Sequence, residues 1–195
     1  MALIEVKPTR IDTAVANQIA AHTNPGIEHA AETLTWGADE HVLLALVAAG
    51  WLYAHLLQPR RQRRIANHVL TVSLATALLP HVLKSLFDQT RPDRLTVRGH
   101  QNGAPISGKA RDAFPSGHAV HMGALASAAG LLPPTPRRLV RSVAVALSLT
   151  RIAVLAHWTS DVVAGFAVGA AVERLLRRWT LAKSRGRQHM SQARS

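Results

Sequence analysis

Three short stretches hold residues that could handle a phosphate group. In "KSLFDQTRP", Lys84 and Arg91 stand seven positions apart, nearly two helical turns, so both would leave one face of a helix that continued that far. Pro92 biases Arg91 away from helical geometry and marks the helix end. Two such cations would attract an anion; the plainer reading is a snorkelling Lys84 and a loop Arg91. In "AFPSGHAVHMG", Ser116 suits a helix N-cap and Gly117 lets a ligand approach the backbone. The first amides of that helix then offer partial positive charge to a phosphate, and His118 in the first turn could give a proton to a leaving oxygen. The plainer reading is a capped helix with an interfacial histidine. A metal pair with His121 is weak, because no carboxylate or thiolate stands nearby. In "TRIAVLAHWTSD", His157 and Asp161 are four apart. On one helix face the carboxylate would accept a hydrogen bond from one imidazole nitrogen and leave the other free as a nucleophile. Arg151 stays charged in an otherwise apolar stretch and needs an anion or an external cavity.

The elements that must position these groups are apolar. The chain has 195 residues, 48% of them hydrophobic, and no cysteine, which excludes disulfides and thiolate metal sites. Five apolar runs recur: His41 to Leu57, Ile65 to Leu83, about Gly117 to Leu132, Leu139 to Ala156, and about Val162 to Leu176. They are at or just below the roughly 17 to 25 residues a membrane-spanning helix needs. They are apolar around most of their circumference, unlike the helices of a soluble bundle. The fold class expected is therefore all-α, a polytopic transmembrane helical bundle of about five spans with N-terminal interfacial helices. Thr9 caps the first of these, with Ile11, Val15 and Ile19 on one face; "NPG" at 24–26 ends it, and a second helix follows through "IEHAAETL". The opening segment lacks the pattern of a signal peptide. Three regions are expected: 1–40 interfacial, 41–178 transmembrane, and 179–195 a basic, disordered cytoplasmic tail.

The charge distribution separates two broad classes. Of 23 Lys and Arg, 14 fall in "QPRRQRR", "PPTPRRLVR" and the stretch from Glu173 to the C-terminus, against the single acid Glu173. Basic residues in alternate turns mark the cytoplasmic side of a membrane protein, with the N-terminus outside and the C-terminus inside. A nucleic-acid surface would gather them on one face, so no nucleic-acid partner is expected. Trp36, Trp158 and Trp179 near span ends read as interfacial anchors, and "GFAVG" lets another helix approach closely. This topology gathers all three chemical groups at the outer ends of spans two to five. Cations, helix amides, two histidines and a carboxylate there suit phosphoryl transfer by in-line displacement.

The order and spacing of these residues resemble the three-part signature of the type 2 phosphatidic acid phosphatase family. That signature reads Lys, six residues, Arg-Pro; then Pro-Ser-Gly-His; then Ser-Arg, five residues, His, three residues, Asp. Thr150 stands where the family commonly has serine. The resemblance implies that His157 attacks phosphorus to form a phosphohistidine, Asp161 orients it and His118 protonates the leaving group. It implies that Lys84, Arg91, Ser116, Gly117 and Arg151 bind the phosphoryl group, without a metal or other cofactor. The expected substrate is a membrane lipid phosphate, with undecaprenyl pyrophosphate first, then phosphatidic acid, phosphatidylglycerophosphate or a lipid A phosphate. Specificity is expected in lipid-facing contacts and the loop Asp93 to Phe114. The expected location is a bacterial inner membrane, the site facing the periplasm or cell exterior. The alternative is an anion-binding transporter or channel without phosphatase activity. Transport should need polar groups continuing inward, for which spans one and five offer little beyond His55 and Glu173. Oligomeric state is not legible.

Overall fold

The computed structural model describes residues 4–22, 25–36, 39–92 and 111–182. Most of the expected specificity loop, the turn residue Asn24 and the tail from 183 onward lie outside the described residues. Among them are seven α-helices, here α1 (Arg10–His22), α2 (Pro25–Trp36), α3 (Glu40–Leu57), α4 (Arg60–Leu86), α5 (Gly117–Ala128), α6 (Pro134–Ala153) and α7 (Thr159–Ala182). A 3-10 turn, Ala129–Leu131, extends α5, and two short strands, β1 (Ile4–Glu5) and β2 (Phe87–Asp88), pair in parallel.

Only two residues, Gln58 and Pro59, separate α3 from α4, and only Leu132 and Pro133 separate the 3-10 turn from α6. Connections this short force antiparallel neighbours. The arginines of "QPRRQRR" and "PPTPRRLVR" therefore ride on the first turns of α4 and α6 instead of lying in loops. Arginine propagates a helix well, and a proline just before or inside the start loses no hydrogen bond the helix could have made. Likewise α7 runs to Ala182 and carries Arg174, Arg177 and Arg178 on its last turns. These ends meet: Arg64 Nη2 donates to Leu181 O at 3.2 Å, and Arg177 Nη2 to Ser127 O at 2.7 Å.

Two described helices, α3 and α4, are long and apolar enough to cross a bilayer, with mean hydropathy of 1.4 and 1.5 over 18 residues. The arginines riding on α6 and α7 interrupt their apolar windows, and α5 has only 12 residues. Leu46, Leu56, Leu57, Leu74, Leu78, Leu139 and Val163 nonetheless point outward, an exposed apolar surface spread over α3, α4, α6 and α7.

α5 sits at the centre and packs most extensively on α7. Glycine makes this contact possible. A Cβ at Gly169 would overlap the backbone of Val120, one at Gly123 the backbone of Phe166, and one at Gly165 would lie 2.6 Å from Ser116 O. The "GFAVG" glycines thus face α5, as their spacing suggested. Farther along, His68 and Glu173 are fully buried and joined at 2.9 Å. Glu173 also accepts from Ser127 Oγ (2.5 Å) and Arg177 Nε (2.7 Å), and His68 Nδ1 meets Thr180 Oγ1 at 2.7 Å. This closed network ties α4, α5 and α7.

The N-terminal helix differs from the expected amphipathic face. Ile11 is 69% exposed, and α1 instead buries Asp12 and Ala16. Thr9 does start the helix: its Oγ1 accepts from Asp12 N at 3.1 Å, and Asp12 Oδ2 accepts from Thr9 N at 2.8 Å.

Replacing Gly169 by leucine should cost on the order of 3 kcal/mol, because neither facing backbone can move aside. Gly50→Ala, with nothing within 4 Å of the new methyl, should be neutral or gain up to ~1 kcal/mol. Thermal unfolding in detergent reads both; equal effects would contradict the central place of the α5–α7 contact.

Candidate active site

α4 ends at Leu86, where the Phe87 amide donates to Leu83 O. The chain then runs extended: β2 pairs with β1, and Gln89 bridges to Asp112 on its other side. Arg91 therefore reaches the site from an extended segment, not from a continued face of α4, which corrects the helical expectation. It arrives beside Lys84 all the same. Arg91 Nε and Nη2 donate to Asp112 Oδ1 at 2.9 and 2.8 Å, Nη1 donates to Ala156 O at 2.9 Å, and Lys84 Nζ lies 3.5 Å from Asp112 Oδ2. Burial pushes the Asp112 carboxyl up, but Arg91 and then Lys84 outweigh it and hold the group below the usual carboxylate range.

Ser116 caps α5, its side chain accepting from Ala119 N. Its own amide donates to Asp161 O at 3.2 Å, so the start of α5 is pinned to the start of α7. Gly117 and His118 form the first turn. Thr150 Oγ1 donates to Leu147 O at 2.7 Å, turning its hydroxyl back along α6.

His157 stands in the connection from α6 to α7, outside both helices. Leu155 adopts φ 53°, an uncommon conformation for a branched side chain, and the reversal brings the amides of Ala156 and His157 onto Arg151 O, each at 3.1 Å. His157 Nδ1 lies 2.8 Å from Ala113 O. A carbonyl only accepts, so Nδ1 carries the proton and Nε2 keeps its lone pair. Asp161 is 3.7 Å from Nδ1 and instead takes the Trp158 amide at 2.9 Å. The expected i,i+4 hydrogen bond is thus absent, because His157 is not helical; a backbone carbonyl holds the ring. Trp158 is also not an interfacial anchor: it is buried to 2% exposure and donates to Thr90 O at 2.7 Å. Trp179, by contrast, is exposed. The side chain of Trp36 lies outside the described residues.

Asp12 of α1 braces this connection from outside. Its Oδ1 accepts from Ser160 N and its Oδ2 from Ser160 Oγ, both at 2.8 Å. Ala16, Ala113, Leu155 and Trp158 pack together beside it. Burial raises the Asp12 carboxyl, and the bonds from Ser160 and Thr9 more than compensate, leaving it below its ordinary value.

Lys84, Arg91, Gly117, His118, Arg151 and His157 all line one cavity of about 720 Å³, while Ser116 and Asp161 are buried behind its wall. Arg151 Nε is buried with no hydrogen-bond partner. His121 lines the cavity too, its Nδ1 3.2 Å from Thr76 Oγ1. Sequence reasoning passed over three residues here: Asp112, Ala113 and Asp12. Only Asp12 left a readable signal, since Thr9-x-x-Asp12 is a capping pattern. The cavity can hold a tetrahedral oxyanion between cations and the amides of α5, with a neutral imidazole beside it. Burial first, then the charges of Arg91, Arg151 and Lys84, keep the His157 imidazole well below its usual range.

Inorganic vanadate should bind this cavity. Arg151→Gln should weaken binding by about tenfold or more, the worth of a hydrogen bond to a charged group. Asp112→Asn, which removes the competing carboxylate, should tighten it several-fold. Calorimetric titration measures both, and unchanged affinity in the two variants would place the anion elsewhere.

Known proteins resemble this chain in sequence and in fold. The model of the PAP2 superfamily matches residues 65–185, more than half of the chain. The chain is 33% identical over 156 residues to the lipid A 1-phosphatase of Rhizobium johnstonii, covering 74% of this chain and 64% of that protein. It is 38% identical over 106 residues to that of Rhizobium etli, covering 54% and 46%. It thus spans less than two thirds of the length of these relatives. Two crystal structures share the fold. One is a transmembrane PAP2-type phosphatidylglycerolphosphate phosphatase from Bacillus subtilis, with TM-score 0.62 and 19% identity over 86% of this chain and 83% of that one. The other is Aquifex aeolicus LpxE, with TM-score 0.66 and 13% identity over 90% and 99%. With its three chemical groups gathered in one cavity and its helices arranged as in these neighbours, the chain belongs to the PAP2 superfamily.

Proposed function

We propose that this protein is an integral-membrane lipid phosphatase that works through a phosphohistidine. One observation carries the reading most directly: Arg151 presents a buried guanidinium nitrogen with no partner to a cavity that also holds Lys84, Arg91, His118 and His157. A buried donor of that kind calls for an acceptor, and phosphate oxygens match the guanidinium. Nε2 of His157 attacks phosphorus, the bond to the leaving oxygen breaks, and His118 gives that oxygen a proton. Water, deprotonated by His118, then attacks the phosphohistidine and releases inorganic phosphate. Asp161 acts at one remove, by fixing the Trp158 amide next to His157. No step requires a metal.

Names of relatives shift the order of substrates. Likeness to two lipid A 1-phosphatases supports the 1-phosphate of a lipid A-type glycolipid as the first candidate, ahead of undecaprenyl pyrophosphate, phosphatidylglycerophosphate and phosphatidic acid. The exposed apolar side chains on four helices support placement in a bilayer, with α3 to α7 as five crossings. The arginine-bearing helix ends would face the cytoplasm and the cavity the periplasm.

Purified protein in detergent should release phosphate from lipid A without added metal, and vanadate should inhibit it. His157→Ala should lower turnover by at least about a thousandfold while the protein stays folded; normal release by that variant would sink the phosphohistidine. Because the free imidazole is held neutral, kcat/KM should fall on acidification only below the ordinary histidine value of about 6.5. Orientation is tested separately. On intact cells, a cysteine from Arg111→Cys at the cavity rim should react with an impermeant maleimide and one from Gln62→Cys should not; the reverse pattern would turn the site inward.

A further inference from the structure

A second cavity, of about 510 Å³, opens between α5, α6 and α7 at the end opposite His157. Three arginines line it: Arg141, Arg174 and Arg177. The guanidiniums of Arg141 and Arg177 both reach within 4 Å of the same point beside Gly130. Glu173 balances Arg177, its Oε1 2.7 Å from Nε. Among the described residues Arg141 and Arg174 have no carboxylate within ion-pair distance, so the cavity keeps two uncompensated positive charges. Away from the arginines the lining turns apolar, through Val145, Phe166 and Ala170. The size is ordinary for a small-molecule site, and the polarity gradient matches a lipid: an anionic headgroup at the cytoplasmic interface, with acyl chain running toward the bilayer centre.

We propose that this cavity binds an anionic phospholipid from the cytoplasmic leaflet, its phosphate held by Arg141 and Arg174. The site rests on the membrane placement above and not on phosphatase chemistry. Free phosphate would satisfy the arginines but leave the apolar part of the lining, at Val145, Phe166 and Ala170, unfilled, which favours the lipid over the bare ion.

The test is thermal unfolding of the full chain in a zwitterionic detergent, with phosphatidylglycerol, phosphatidylcholine or inorganic phosphate added. A ligand that binds only the folded state raises its midpoint. Phosphatidylglycerol should raise the midpoint by several degrees, and the other two should not. Arg141→Gln combined with Arg174→Gln should remove that shift while leaving vanadate binding at the first cavity intact. Arg151→Gln should do the opposite, keeping the lipid shift and weakening vanadate binding about tenfold or more. Should the double variant fold poorly, Ala170→Phe, which fills the apolar part and keeps every charge, should also remove the shift. An equal shift with phosphatidylcholine or inorganic phosphate would overturn the proposal. So would a shift that survives the charge and filling variants, or one abolished by Arg151→Gln, which would assign the lipid to the first cavity.

Discussion

The closeness of α7 to α5 governs the geometry of the cavity around His157. At Gly165, Gly169 and Gly123 the two helices touch backbone to backbone, with no room for even a methyl group. Packing of this kind supplies association where lipid offers no hydrophobic drive between helices. It also sets distances at the reacting end. Gly165 lies against Ser116, so the cap of α5 is drawn onto Asp161, and the connection that carries His157 is fixed in the same motion. Histidine placement is thus a by-product of helix packing.

Charge divides the molecule along its length. One end gathers Lys84, Arg91 and Arg151 around an open cavity and answers them with Asp112. The other gathers arginines from the start of α4, the start of α6 and the end of α7, with Glu173 buried among them. The two sets differ in how they are satisfied. Backbone carbonyls of Leu181, Ser127 and Ala126 take much of the hydrogen bonding at the second end, whereas the first leaves a buried donor open. An unpaired donor buried beside the cavity marks the first end as one that calls for an acceptor.

The sequence made the residue types and their grouping legible, because cations, histidines and a helix start need no tertiary information to be recognised at fixed spacing. The glycine pair in "GFAVG" and the cap at Ser116 were readable for the same reason: both are local rules. What escaped was set by long-range contact. The acceptor for His157 is the carbonyl of Ala113, and a backbone carbonyl has no letter in a sequence. Asp112 is an ordinary acid until Arg91 folds against it across an extended segment. Trp158 sits at a helix boundary, which suggested an interfacial anchor, yet the neighbouring α1 covers it and turns it into core. His68 and Glu173, more than a hundred residues apart in the chain, show no relation before α4 and α7 meet.

Asp112 gives the first cavity a resident counter-ion. An anion that enters finds Arg91 already engaged, so at that guanidinium binding exchanges one negative group for another, while the open Nε of Arg151 takes the anion directly. A singly charged headgroup gains little from such an exchange; a phosphate dianion, with more charge and more acceptor oxygens, gains on both counts. Preference for the doubly charged ligand then follows from a single side chain.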